Sequence, residues 1–224
     1  MRVILFGASG MVGQGVLREC LLDPGVREVV SIGRTVSGQQ DPKLRELIHT
    51  DFLNYSAIES QLAGFDACFF CLGISSAGMT EQQYTRITYD ITLAAARTLF
   101  RVNPGMTFIY VSGMGTDSSE RGRSMWARVK GKTENDLLKL PFKAAYMFRP
   151  GVIVPLHGVK SKTGLYRFFY AVLGPLLPLL TGRFPKYITT TERIGRAMIQ
   201  VAKDGWPKSV LESSDINAVP AGNK

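Results

Sequence analysis

Only three cysteines (Cys20, Cys68, Cys71) and two histidines (His49, His157) occur among the 224 residues. That scarcity excludes a disulfide framework, and the spacing of these five residues matches no common structural zinc pattern, so no metal site is expected. Cys68 and Cys71 make a CxxC on paper. They sit in AGFDACFFCLG, however, which reads as a buried strand whose positions three apart point to opposite faces. Long apolar runs are also scarce. Phe168 to Leu180 holds thirteen residues without a charge, short of the roughly 20 that span a bilayer, and Pro175 and Pro178 interrupt it. No transmembrane segment is expected; the run reads as core or as a pocket cover. Peripheral contact with an anionic membrane is the alternative, because nine basic residues stand against Glu192 and Asp204 between Lys160 and Lys208. The opening MRVILFGAS has no positive n-region followed by an apolar h-region, and a cytoplasmic location is therefore expected.

The net charge is +9. It suits an anionic cofactor or membrane surface, while no nucleic-acid-binding motif accompanies it and no nucleic-acid partner is expected. The length fits a single domain over residues 1–224, with a small substrate-covering region at about 152–190.

Apolar strands and helices alternate. Val3 to Phe6 is a short apolar run ended by Gly7, and Met11, Val12, Val16, Leu17 and Leu21 follow at helical spacing until Asp23-Pro24-Gly25. Further strands are expected at Glu28–Ile32, Leu47–His49, Ala67–Leu72, Thr107–Val111 and Ala144–Phe148, with helices near Gln82–Phe100 and Ser124–Lys139. This pattern implies an α/β fold, a doubly wound parallel sheet of Rossmann type with helices on both faces and ligands at the carboxyl ends of its strands.

Gly7-Ala8-Ser9-Gly10-Met11-Val12-Gly13 places a GxxGxxG spacing between the first strand and the first helix. Gly7 permits the tight turn, Gly10 lets backbone approach a pyrophosphate, and Gly13 lets helix and strand pack closely. The helix amides around Ser9, Met11 and Val12 would face the anion. An acid at the end of the second strand would bind an adenosine 2′-hydroxyl; this chain has Gly33-Arg34-Thr35. Arg34 can pair with a 2′-phosphate, favouring NADP over NAD, unless it is an ordinary surface residue stacked on adenine.

With these residues in view, the sequence resembles the short-chain dehydrogenase/reductase superfamily, specifically its atypical Tat-interacting-protein-like and NmrA-like branch. The similarity runs from Arg2 to about Gly151, with a weaker echo in Tyr187-Ile188-Thr189 and Glu192 to Arg196. The resemblance implies that Asp51 and Phe52 lie by the adenine, Cys71, Leu72 and Gly73 by the ribose, and Pro150, Gly151 and Val152 by the nicotinamide. It also implies a catalytic serine after the fifth strand, then a tyrosine, then a lysine one helical turn further. Those positions hold Ser112, Trp126 and Lys130.

A tyrosine phenol beside a lysine ammonium exchanges a proton with the substrate oxygen as hydride moves. An indole N–H only donates a hydrogen bond. Ser112 and Lys130 remain the candidate catalytic residues, with Lys130 also at the ribose. The missing proton could come from Tyr84 or Tyr89, or from a water held by Ser112 and Lys130. A hydrolase is excluded because Tyr110 breaks G-x-S-x-G around Ser112. The expected function is NADP(H) binding with oxidoreductase activity on a small carbonyl or alcohol. The alternative is a catalytically silent dinucleotide sensor or regulator acting through a protein or a membrane surface.

Overall fold

The computed structural model describes residues 1–159 and 183–220. Seven strands make one parallel sheet: β1 (Arg2–Phe6), β2 (Glu28–Gly33), β3 (Leu44–Ile48), β4 (Ala67–Phe70), β5 (Thr107–Val111), β6 (Ala144–Arg149) and β9 (Val210–Glu212). Their order across the sheet is β3-β2-β1-β4-β5-β6-β9. The chain moves outward from β1 to β3, then returns to β4 on the other side of β1, so a crevice opens between β1 and β4 at their carboxyl ends. A second parallel pair joins β7 (Val152–Val154) to β8 (Ile188–Thr190). This pair brings together the two ends of the expected covering region. Most of that region, including Phe168 to Leu180, lies outside the described residues.

The strands are apolar on both faces because helices cover both. Val3 and Leu5 of β1 face a core built from α1 (Met11–Leu22) and α5 (Thr191–Asp204). Ile4 and Phe6 face the opposite core, which holds α3 (Ile91–Val102) and Leu137 of α4 (Met125–Leu138). On that second face Phe6, Phe70 and Phe108 stack across β1, β4 and β5 with ring centroids 5.0 and 6.0 Å apart, and Phe142 continues the row at 5.2 Å. Cys68 belongs to this core while Cys71 packs against the other, as a pleated strand requires.

Some elements differ from expectation. The third strand begins three residues earlier, at Leu44. The helix expected near Gln82–Phe100 is divided into α2 (Glu81–Thr85), a π turn over Arg86–Asp90, and α3. Thr80 opens it with a reciprocal capping box to Gln83. β9 and the short α6 (Ser213–Ala218) follow α5 and close the sheet against β6. Among the described residues no helix is long and apolar enough to cross a membrane.

Candidate functional site

The turn after β1 is held by the amide of Gly10 donating to the Gly7 carbonyl at 2.9 Å. Gly7 has φ 82, and a β-carbon there would stand 2.8 Å from the Cys71 carbonyl carbon. Both facts demand glycine, because the turn is left-handed and the chain leaving β4 runs directly against it. At Gly13 a β-carbon would run into the Gly7 carbonyl, which seats α1 tightly on the strand end.

Gly10 is different: its only close neighbour would be the Gly7 carbonyl, 3.3 Å away. It is the N-cap of α1, no side chain caps the helix there, and no acid occupies its first turn. The first amides of α1 therefore have no side-chain cap among the described residues, at the positive end of the helix dipole. This is the arrangement a pyrophosphate needs.

The other expected contact residues lie along the same carboxyl edge. Arg34 follows β2, is exposed, and has no bonding partner among the described residues. Phe52 packs edge-on against His49 and Tyr55 beside Phe6, and Asp51 is exposed next to it. The Cys71 amide donates to the Phe6 carbonyl at 3.0 Å, and Leu72 and Gly73 lead away from it. Burial pushes the Cys71 thiol well above its ordinary pKa, so it stays protonated. Beyond β6, the Pro150 carbonyl accepts from the Met114 amide at 2.9 Å. The Gly151 amide donates to Ser213 Oγ at 2.8 Å, and the Val152 amide donates to the Tyr187 carbonyl at 2.8 Å.

Ser112 sits at the end of β5 and is 6% exposed. Its hydroxyl donates to Glu134, with the Phe148 carbonyl 3.2 Å away. A hydroxyl has one proton, and here it points inward to a carboxylate and not toward the crevice. The Lys130 ammonium, one turn before Glu134 on α4, donates to the Ser112 carbonyl. Burial lowers the Lys130 pKa from 10.5 to about 8, and the nearby Glu134 charge opposes part of that fall.

Glu134 and Arg149 were not among the expected site residues. Glu134 is 1% exposed and Arg149 Nε lies 3.1 Å from each of its carboxylate oxygens. The signal available in the sequence was positional: Trp126, Lys130 and Glu134 follow at successive turns of one helix, and Arg149 ends an otherwise apolar strand.

The Trp126 indole lies over Gly115, in the loop that leaves β5. Its N–H bonds no described residue. Neither expected substitute phenol reaches this place. Tyr84 is 2% exposed inside the core, and burial raises its pKa. The Tyr89 hydroxyl donates to Asp136 at 2.7 Å, beyond Glu134 on α4.

Fold and glycine loop together define an α/β protein of the doubly wound Rossmann type. No protein-family model matches the chain. Among curated proteins it is similar to the protein fmp52, mitochondrial, of Emericella nidulans, with 27% identity covering 99% of this chain and 92% of that one. A second relative, FMP52-2, mitochondrial, of Scheffersomyces stipitis, is 25% identical over 93% of this chain and 90% of its own. Among solved structures the Bordetella bronchiseptica enzyme WbmF, in complex with NAD+, superposes with a TM-score of 0.68 at 16% identity, covering 96% of this chain and 76% of that one. This likeness is one of fold. The relatives' names correct the expected cytoplasmic location, since both proteins are called mitochondrial.

Proposed function

We propose that the chain binds NADP(H) along the carboxyl edge of its sheet and acts as an oxidoreductase of the short-chain dehydrogenase/reductase type on a small carbonyl or alcohol. The observation that carries this reading is the start of α1 at Gly10, which has no side-chain cap among the described residues and no acid in its first turn. A nicotinamide dinucleotide is further supported by the bound NAD+ of the structurally similar WbmF. Arg34 after β2, exposed and without a bonding partner among the described residues, favours the 2′-phosphorylated form. Asp51 and Phe52 would flank the adenine, Cys71 to Gly73 the ribose, and Pro150 to Val152 the nicotinamide.

When bound, the cofactor supplies the hydride. The chain's own residues must then orient the carbonyl and deliver a proton. Trp126 can hold the substrate oxygen through its indole N–H but cannot release that proton near neutral pH. Lys130 can release one. With a pKa of about 8 it is an ammonium at pH 7, yet acidic enough to pass its proton through a bound water to a forming alkoxide. Ser112 acts through its carbonyl, which anchors the ammonium.

Calorimetric titration with NADPH and NADH tests the binding, and NADPH oxidation over a panel of carbonyl compounds tests the chemistry. Absence of binding by either dinucleotide would overturn the reading. Binding without turnover would favour a dinucleotide sensor, for which the observation is Trp126 itself, standing where a proton carrier is expected.

A further inference from the structure

The polar group buried behind the crevice has no part in the reading above. Glu134 is 1% exposed, Arg149 is 12% exposed in its side chain, and they come from different elements, α4 and β6. Two charges removed from water are expensive to bury, and replacing such a pair with apolar residues commonly leaves stability unchanged or improves it. Their location gives them a use. The Glu134 carboxylate accepts from the hydroxyl of Ser112, and the Ser112 carbonyl accepts from the ammonium of Lys130. Arg149 bonds both oxygens of the same carboxylate, bonds Ser118 Oγ at 2.5 Å, and lies 3.6 Å from Glu212 of β9.

We propose that Glu134 is a positioning residue for this site: clamped by Arg149, it fixes the Ser112 peptide whose carbonyl aims Lys130, and sets a buried negative charge one helical turn behind the ammonium. The proposal rests on the dinucleotide-dependent reading for its purpose, but not for its geometry. Two strand ends meet at this carboxylate, β5 through Ser112 and β6 through Arg149, and Glu212 at the end of β9 reaches Arg149 from behind. α4 supplies both Glu134 and Lys130. Glu134 is the charged group acting on Lys130, while Arg149 and Glu212 stand behind it. Glutamine at 134 would still accept from Ser112 but carry no charge, and alanine would do neither.

Acetylation of Lys130 by acetic anhydride, followed across pH by peptide mass spectrometry on the full chain without cofactor, reports the titration of that one amine. Loss of the neighbouring carboxylate in Glu134→Gln should move the midpoint from about 8 to lower pH by about one unit, so that labelling at pH 7 accelerates about fivefold. Simple loosening of the structure would act in the opposite direction, because hydrating the amine raises its midpoint toward 10.5. A midpoint that stays or rises in Glu134→Gln therefore overturns the proposal. If that variant does not fold because Arg149 is left undercompensated, Glu134→Gln combined with Arg149→Met removes both charges and is read by the same criterion. NADPH titration of the unaltered protein runs alongside. Failure to bind would sink the dinucleotide reading, while the labelling result would still decide what Glu134 does.

Discussion

Trp126 and Gly115 lie against each other: Cη2 of the indole lies 3.4 Å, and Cζ2 3.7 Å, from where a β-carbon on Gly115 would stand. Gly115 has φ 85, so a side chain there would be strained as well as crowded. The loop leaving β5 is thus shaped around the indole.

A phenol in that place has a proton to exchange, and Lys130 is already one turn away. Trp126→Tyr should raise NADPH-dependent carbonyl turnover, by up to about 10²-fold for a restored general acid. NADPH affinity should stay nearly constant, since the glycine loop and Lys130 are untouched. Steady-state NADPH consumption and calorimetry on both proteins measure the two effects. A fall in turnover would show that the indole itself orients the substrate.

The glycines of the first loop should separate binding from folding. Gly10→Asp places a good N-cap residue where its β-carbon meets the Gly7 carbonyl at 3.3 Å, a contact that a small shift relieves, so the free protein should melt within a few degrees of the unaltered one. Its carboxylate would repel a pyrophosphate, and NADPH affinity should fall at least about tenfold, equivalent to roughly 1.4 kcal/mol. Gly13→Ala forces a methyl into the Gly7 carbonyl and should destabilise the free protein by about 1–3 kcal/mol. Thermal unfolding with and without NADPH distinguishes the two.

Arg34→Ala should weaken NADPH by about 1.5–3 kcal/mol, the value of a charge-assisted hydrogen bond, and leave NADH nearly unchanged. Parallel titrations with both dinucleotides check this. Equal losses would mean that Arg34 stacks on the base and does not read the phosphate.

Lys130 links stability to alkaline pH. Its folded pKa of about 8 lies below its ordinary 10.5, so between these values the unfolded chain holds a proton that the folded chain has released. Stability therefore rises with pH across that window, and the burden of a buried ammonium is fully present below it. Lys130→Met removes the group and should gain on the unaltered protein at pH 7 by on the order of 3 kcal/mol, less what the lost hydrogen bond to Ser112 returns. That advantage should shrink as pH approaches 10.5. Urea unfolding of both proteins at pH 7 and pH 10 gives the difference, and a pH-independent gap would refute it.

Legibility in the sequence followed the range of the interactions. The β1–α1 turn could be read because its glycines answer to contacts within a few residues, and β1, β2, β4, β5 and β6 because burial on both faces makes their runs continuously apolar. β7, β8 and β9 are three residues each, too short to show a period. Glu134 sits within Lys132-Thr133-Glu134-Asn135-Asp136, a stretch that reads as solvated helix face. Only the arrival of Ser112 and Arg149 from two other strands makes it internal. Ser112 is expected at the site from its place after β5, but the direction of its hydroxyl depends on that same remote carboxylate.

The helix that begins at the glycine loop leans on α5, which lies far later in the sequence. A β-carbon on Gly15 of α1 would stand 2.5 Å from Thr191 Cβ, Gly195 lies against Glu19, and Arg196 bonds that buried glutamate at 3.0 Å. During synthesis the loop leaves the ribosome well before its support at 191–204. Contacts so distant in sequence form slowly, and the apolar face of α1, with Val16, Leu17 and Cys20, stays uncovered in the meantime. A growing chain halted before Thr191 should thus expose that face to chaperones.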